Sequence, residues 1–351
     1  MSLPGTAAAM RAMRIVDFGE PDVLRLVEEE APLPAAGEVR IAVHAAGVNY
    51  PDLLVVRGSY QILAPLPFSP GKEVAGVVSA VGPDVTGFDV GMRVMAYIEN
   101  GGYAEEVLAP AVSCYRLPDA MGYEVAASFG LVYQTAHYAL VRRGGFRPGE
   151  RVLITGASGG VGVAAIGLVK GLGGTVLAGV SGPHRADVAL GAGADAIIDL
   201  SRPDLVEDLR RQVETAAGGG RADVAIESVG GTVFEAALRA LAWEGRIVVV
   251  GFAGGPPAAI RSNYLLIRNL TATGLHWSDY RDGDPDGVRA VQQELFDLWS
   301  AGRIPEPPTE AYPLEESAEA LKRFARRDVT GKLVLLTRAG RGEMTQARSW
   351  L

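Results

Sequence analysis

Two textures of apolar and polar residues divide the chain. From Arg151 onward, short apolar runs alternate with stretches of helical spacing. Runs at 152–154, 176–180, 196–199, 223–227 and 246–250 predict strands. The segments 163–172, 184–190, 203–216 and 233–241 predict the helices between them. This alternation implies an α/β fold with a parallel, doubly wound sheet. A sixth strand is expected at 269–274, then amphipathic helices at 288–300 and 314–326 and a last strand at 332–336. Before about residue 130 the pattern is different. Strands are expected at 39–43, 73–81 and 93–97, with Pro32, Pro34, Pro65, Pro67 and Pro70 marking irregular connections. The tail from Ala339 is polar and predicts no element.

The most telling junction follows the apolar run Val152-Leu153-Ile154. It leads into Gly156-Ala157-Ser158-Gly159-Gly160-Val161-Gly162, after which small and apolar residues continue at helical spacing. Strand, tight turn and helix in that order let backbone N–H groups and a helix N-terminus face a pyrophosphate. Ala157-x-Gly159-x-x-Gly162 is the dinucleotide fingerprint with Ala in first place. Gly159 would admit the phosphates, and Gly162 would let helix and strand pack closely. A plain strand-to-helix turn is the competing reading. An NAD site places an acid at the end of the second strand, on the ribose 2′-hydroxyl. No acid lies between Leu177 and Arg185. Ser181 and the guanidinium fork of Arg185 suit a 2′-phosphate instead, which points to NADPH. The alternative is a helix-capping Ser181 and a solvated Arg185.

The length, 351 residues, allows two domains, and 48% hydrophobic residues allow a large core. A net charge of −8 argues against a nucleic-acid partner. One cysteine, Cys114, excludes an intrachain disulfide. No apolar run reaches the roughly 18 residues of a membrane span. Met1 to Met10 lacks the basic flank of a signal peptide. These features together predict a soluble cytoplasmic protein, with residues 1–8 partly disordered. Because the glycine-rich turn lies in mid-chain, its flanks most simply form one domain into which the nucleotide domain is inserted. The cleft between them is the default place for chemistry.

Several motifs then fall in a familiar order: Ala46-Gly-Val-Asn49-Tyr-Pro-Asp52, Pro70-Gly-Lys-Glu73-Val-Ala-Gly-Val-Val, Gly91-Met-Arg-Val, Gly102-Tyr-Ala-Glu, Pro148-Gly-Glu-Arg-Val-Leu-Ile, Ala157-Ser-Gly-Gly-Val-Gly162 and Gly331-Lys-Leu-Val-Leu. Over residues 10–337 the chain resembles the medium-chain dehydrogenase/reductase superfamily, in its zinc-independent NADPH:quinone oxidoreductase branch. The resemblance implies a β-rich, GroES-like catalytic domain over 1–130 and 274–351 and a Rossmann NADPH-binding domain over 131–273. The zinc-containing branch has His-Glu where this chain has Lys72-Glu73, and Asn49 stands near its first cysteine position. With one Cys and four scattered His residues, no zinc is expected.

The resemblance also implies sites. Thr135 would lie near the nicotinamide, Ser228 and Gly230 near the ribose and phosphates, and Gly251 and Phe252 near the nicotinamide ribose. Gly160 and Val161 complete the phosphate turn. Many relatives have a Tyr on the 2′-phosphate where this chain has Leu200. The implied activity is NADPH-dependent reduction of a quinone or other conjugated carbonyl by direct hydride transfer without metal. Asn49 and Tyr60 are the candidate catalytic donors to the acceptor, with backbone bonding and aromatic packing as their competing readings. Enoyl-thioester (enoyl-CoA) reduction and non-catalytic NADPH binding are the alternatives. A homodimer is expected, since the strand at 269–274 would leave an apolar sheet edge.

Overall fold

The computed structural model describes residues 9–342. The expectation for residues 1–8 therefore lies outside the described residues. The chain forms two compact units. One runs to Leu131 and resumes at Pro308; the other is Val132–Pro307. Helices Trp277–Gly283 and Pro285–Ser300 thus belong with the nucleotide unit, whereas the sequence reading drew that boundary at 273. Buried hydrogen bonds explain the difference. Gln134 Nε2 donates to Val288 O at 3.0 Å and to Gln292 Oε1 at 3.1 Å, and Tyr133 OH donates to Pro305 O at 2.6 Å. No periodicity in the sequence reports such ties.

In the unit Val132–Pro307 six parallel strands lie in the order Ala196–Asp199, Thr175–Val180, Arg151–Thr155, Ala222–Glu227, Leu241–Val249, Thr271–Gly274. This is the doubly wound order that the alternation predicts. The middles of its central strands are apolar because helices cover both faces; Val152, Leu153, Ile154 and Leu177 are fully buried. Helix Gly160–Gly171 is buried continuously from Gly162 to Val169, which accounts for its run of small residues. Helix Leu205–Ala216 is instead amphipathic and buries Leu205, Leu209 and Val213 on one stripe. Helix Gly231–Arg239 stops before the expected 241. Leu241 has helical spacing after Leu238, but it pairs with Ala222 and opens a strand. The sheet partner decides the state of a residue that fits both periods.

The other unit is built on a sheet ordered Thr309–Pro313, Lys332–Leu336, Glu38–Val48, Glu73–Val81, Arg93–Tyr97, Cys114–Arg116, with Glu106–Pro110 on Glu38–Val48. Strand Glu38–Val48 runs longer than the expected 39–43 because it pairs with three other strands. Thr309–Pro313 carries no apolar alternation and its first three residues are exposed, so it gives no strand signal. Strands Ala9–Ile15 and Leu24–Glu30 form a hairpin in full register. That hairpin is fastened by Met13 N–H to Tyr103 O and Ile15 N–H to Phe68 O, each 2.8 Å.

Glu105 closes this unit. Its carboxylate accepts the Arg11 N–H at 2.9 Å, the Arg11 guanidinium, and both nitrogens of the Arg338 fork at 2.7 and 2.6 Å. Against expectation a helical turn occupies 338–342. Arg341 N–H bonds Thr337 O at 3.0 Å, and Arg338 is held on Glu105. Burial works to raise the Glu105 pKa, but the Arg338 and Arg11 hydrogen bonds outweigh it and hold it at about 2. A lowered carboxylate stabilises the fold only while ionised. Glu105→Gln should therefore lower Tm near neutral pH. The gap to the wild type should close as pH falls from about 4.5 toward about 2. Thermal unfolding over that range checks this; a pH-independent gap would contradict it.

Candidate functional site

In the unit Val132–Pro307 the glycine-rich turn sits at the carboxyl end of strand Arg151–Thr155. Gly156 has φ +64°, and Gly159 caps helix Gly160–Gly171. The turn is anchored to both neighbouring strands. Ala157 N–H donates to Gly179 O at 3.1 Å on one side. On the other, Ser228 Oγ donates to Thr155 O at 3.0 Å, and Ser228 N–H donates to Thr155 Oγ1 at 3.1 Å. A third loop joins through Ala253 N–H to Ser228 O and Gly254 N–H to Val229 O. The structure thus brings Ala157, Gly159, Gly160, Val161, Gly162, Ser228, Gly230, Gly251 and Phe252 to the carboxyl ends of three adjacent strands.

The two motif glycines are required for different reasons. A Cβ on Gly162 would lie 2.4 Å from Gly156 O and 2.6 Å from Ala157 Cα, so this glycine permits the helix to pack directly on the preceding turn. A Cβ on Gly159 would meet only Gly156 O, at 3.5 Å. No protein atom crowds that face, which is the condition for a phosphate to approach the backbone. The residues present therefore fit a dinucleotide pyrophosphate at this helix N-terminus. Ser181 follows strand Thr175–Val180 and is exposed; Arg185, on the first turn of helix Pro183–Gly191, is half-buried. Leu200 lies along Gly179, whose Cβ would be 3.3 Å from its methyl groups. Thr135 is half-buried on helix Tyr123–His137 and makes no hydrogen bond to the turn among the described residues.

Sequence reasoning missed Glu227. This fully buried carboxylate accepts Thr155 Oγ1 at 3.1 Å, Val229 N–H at 2.8 Å and Gly230 N–H at 2.9 Å, all on Oε1. It shapes the loop that carries Ser228 and Gly230. Burial raises its pKa in spite of those donors, and Oε2 has no partner among the described residues. An acid following the apolar run Val224-Ala225-Ile226 was the available signal, because a buried charge must find donors.

The second constellation lies in the unit that resumes at Pro308. Asn49 precedes helix Tyr50–Val56 and is 6% exposed. Its N–H donates to Asp52 Oδ2 at 2.8 Å, its Nδ2 donates to Glu73 Oε1 at 3.0 Å, and its Oδ1 accepts Lys332 Nζ at 2.7 Å. Lys332 and Glu73 form a buried ion pair at 2.6 Å. Asp52 also accepts Tyr103 OH at 3.1 Å. Burial lifts the Asp52 carboxyl to about 6, with Lys72 and the Asn49 and Tyr103 hydrogen bonds pulling it down. Tyr60 is half-buried, and Lys72 Nζ lies 4.3 Å from its ring centroid while pairing with Glu99. Asn49 and Tyr60 are thus both tied to buried lysines, though to different ones. In the sequence Lys332 only opens a strand. A lysine opening the five-residue buried strand Lys332–Leu336 could have flagged a buried partner.

Among the described residues no group of three or more His, Cys, Asp or Glu side chains could hold a metal ion. Glu73, where the zinc branch has its glutamate, is committed to Lys332, Asn49 and Leu131 N–H. His44 lies on the Tyr123 ring at 4.3 Å, and the buried Cys114 thiol donates to Pro110 O at 3.4 Å.

Comparison with known proteins agrees with this anatomy. Residues 35–119 match the alcohol dehydrogenase GroES-like domain, and residues 160–293 match the zinc-binding dehydrogenase domain. The chain is 37% identical over 313 residues to quinone oxidoreductase-like protein 2 of Bos taurus, covering 88% of each chain. The structure of Escherichia coli quinone oxidoreductase complexed with NADPH superposes with a TM-score of 0.85 at 30% identity, over 94% of this chain and 100% of that one. The CurK enoyl reductase superposes with a TM-score of 0.84 at 25% identity, over 93% and 99%.

The two glycines should separate in experiment. Gly162→Ala forces backbone apart and should cost about 1–3 kcal/mol of stability, as overpacking does. Gly159→Ala should keep its Tm while weakening dinucleotide binding about tenfold, equivalent to about 1.4 kcal/mol. Thermal unfolding and fluorescence titration with NADPH check both; equal effects of the two on Tm would contradict the assignment.

Proposed function

The chain belongs to the zinc-independent quinone oxidoreductase branch of the medium-chain dehydrogenase/reductase superfamily, and on that premise we propose that it is an NADPH-dependent reductase of quinones or similar conjugated carbonyls. One observation carries this reading: an uncrowded Gly159 at a helix N-terminus beside a second strand whose end offers Ser181 and Arg185 in place of an acid. Gly159, Gly160, Val161 and Gly162 hold the pyrophosphate by backbone N–H groups and the positive end of the helix. Ser181 and Arg185 hold the 2′-phosphate. Ser228, Gly230, Gly251, Phe252 and Thr135 line the remainder of the dinucleotide.

The bound nicotinamide supplies a hydride. Reduction of a quinone to its hydroquinone by NADPH also takes up one proton. The acceptor oxygen gathers negative charge as the hydride arrives, and donors aimed at it lower the barrier. Asn49 and Tyr60 supply those donors. The single cysteine accords with a reducing compartment, and we place the protein in the cytoplasm. We further propose a homodimer. Strand Thr271–Gly274 lies at the outer edge of its sheet, and Leu266 and Ile267 beside it are 79% and 72% exposed.

Enoyl-thioester reduction is the competing reading, supported by the likeness to CurK enoyl reductase. A CoA ester brings phosphates, which call for free basic groups. Arg57 is the one basic residue in 49–64, where it is bonded to Glu20 at 3.0 and 2.8 Å, and the arginines of 254–276, Arg261 and Arg268, form no cluster in sequence. The chemistry of these segments thus favours the smaller acceptor.

Initial rates of NADPH oxidation should show kcat/KM for 1,4-benzoquinone above that for crotonyl-CoA; the reverse order replaces this reading, and no turnover with either leaves a binding protein. NADPH should be preferred to NADH, and Arg185→Glu should weaken NADPH binding by about 1–3 kcal/mol. Sedimentation equilibrium at micromolar concentration should give twice the chain mass of 36.8 kDa; a single-chain mass would overturn the dimer.

A further inference from the structure

Lys332 is buried to 2% exposure at the head of an apolar strand, where an ammonium is costly unless its protons are all accepted. Here Nζ reaches Glu73 Oε1 at 2.6 Å, Asn49 Oδ1 at 2.7 Å and Val48 O at 3.4 Å. Glu73 is equally committed: Oε1 also takes Asn49 Nδ2 at 3.0 Å, and Oε2 takes Leu131 N–H at 2.8 Å. Ammonium, carboxamide and carboxylate therefore close a ring of three side chains.

That ring has two consequences for Asn49. The amide can sit one way only, since the flipped form would set NH2 against the ammonium and oxygen against the carboxylate. A carboxamide also has two N–H donors, and Glu73 uses one. The other carries no partner among the described residues. A cation on Oδ1 draws electron density out of the amide and strengthens that remaining donor, as linked hydrogen bonds polarise one another.

We propose that Lys332 is a positioning residue for acceptor reduction: it locks and polarises the Asn49 carboxamide so that its free N–H is offered to the acceptor oxygen. This rests on the reading that Asn49 binds that oxygen. Glu73 balances the charge, so Lys332 does its work without a net charge in the core.

The test compares Lys332→Ala, the charge-neutral double variant Glu73→Gln/Lys332→Met, and Asn49→Ala, each with NADPH and 1,4-benzoquinone. Lys332→Ala strands a buried carboxylate and can lose its fold; the double variant does not. Both lysine variants should lose kcat on the order of 100-fold, the size of losing one donor to a developing oxyanion. The Kd for NADPH should stay as in the wild type. Ethylammonium should restore kcat to folded Lys332→Ala, and tetramethylammonium at equal ionic strength should not. A role in packing alone would give no such discrimination between the two cations. A folded double variant with wild-type kcat overturns the proposal. If Asn49→Ala turns over as fast as wild type, the reading of Asn49 fails and Lys332 falls with it. If Asn49→Ala is slow while the double variant is fast, the role of Lys332 alone is refuted.

Discussion

The buried pair between Lys332 and Glu73 ties the β-rich unit together across its sheet. It joins residues far apart in sequence, at the first positions of two strands, and through Asn49 it reaches the start of a helix. Removing one partner of such a pair typically costs about 3–5 kcal/mol, because the survivor is left charged and dry. Set against a total stability of about 5–15 kcal/mol, that is a large share. An apolar pair of similar volume would serve stability as well or better. The interest of keeping charge here lies in what it imposes on Asn49, a single orientation that an apolar core could not enforce.

A comparable logic governs the nucleotide unit. Three loops converge at the carboxyl ends of adjacent strands because the strands are parallel, so all of them end at the same edge of the sheet. Their relative positions are then set by a few buried hydrogen bonds. Thr155 and Glu227 bond to one another across neighbouring strands, and Ser228, Val229 and Gly230 hang from them by their backbone N–H groups. The uncrowded glycine face that could receive phosphate is thus supported from beneath by a polar network that holds the neighbouring loop backbone.

The two units treat charge in opposite ways. In the nucleotide unit Thr155 and one oxygen of Glu227 bind the loop from beneath and leave the backbone N–H groups at the helix start uncommitted to these side chains. In the β-rich unit, positions that hold metal ligands in the zinc branch carry Lys72 and Glu73, and both are ion-paired internally. On the proposed function, stabilising charge on an acceptor falls to hydrogen-bond donors, whose strength depends on how rigidly they are held.

The amino-acid sequence by itself determined the doubly wound sheet, its glycine-rich turn and the absence of an acid after the second strand. Those features are written in local periodicity and in residues whose geometry is local, such as Gly162, where any Cβ would strike the preceding turn. Strands 73–81, 93–97, 196–199 and 332–336 were legible for the same reason: burial on the sheet imposes apolar runs. Tertiary structure alone decided what depends on distant partners. Leu241 is strand because Ala222 pairs with it, and 338–342 turns because Arg338 meets Glu105. The reach of the nucleotide unit to Pro307 follows from hydrogen bonds made by Tyr133 and Gln134 to residues far along the chain. Lys332, Glu73 and Asn49 carry no mutual signal in sequence, since burial and the pairing of charge are properties of where the chain returns, and only the folded sheet brings those three together.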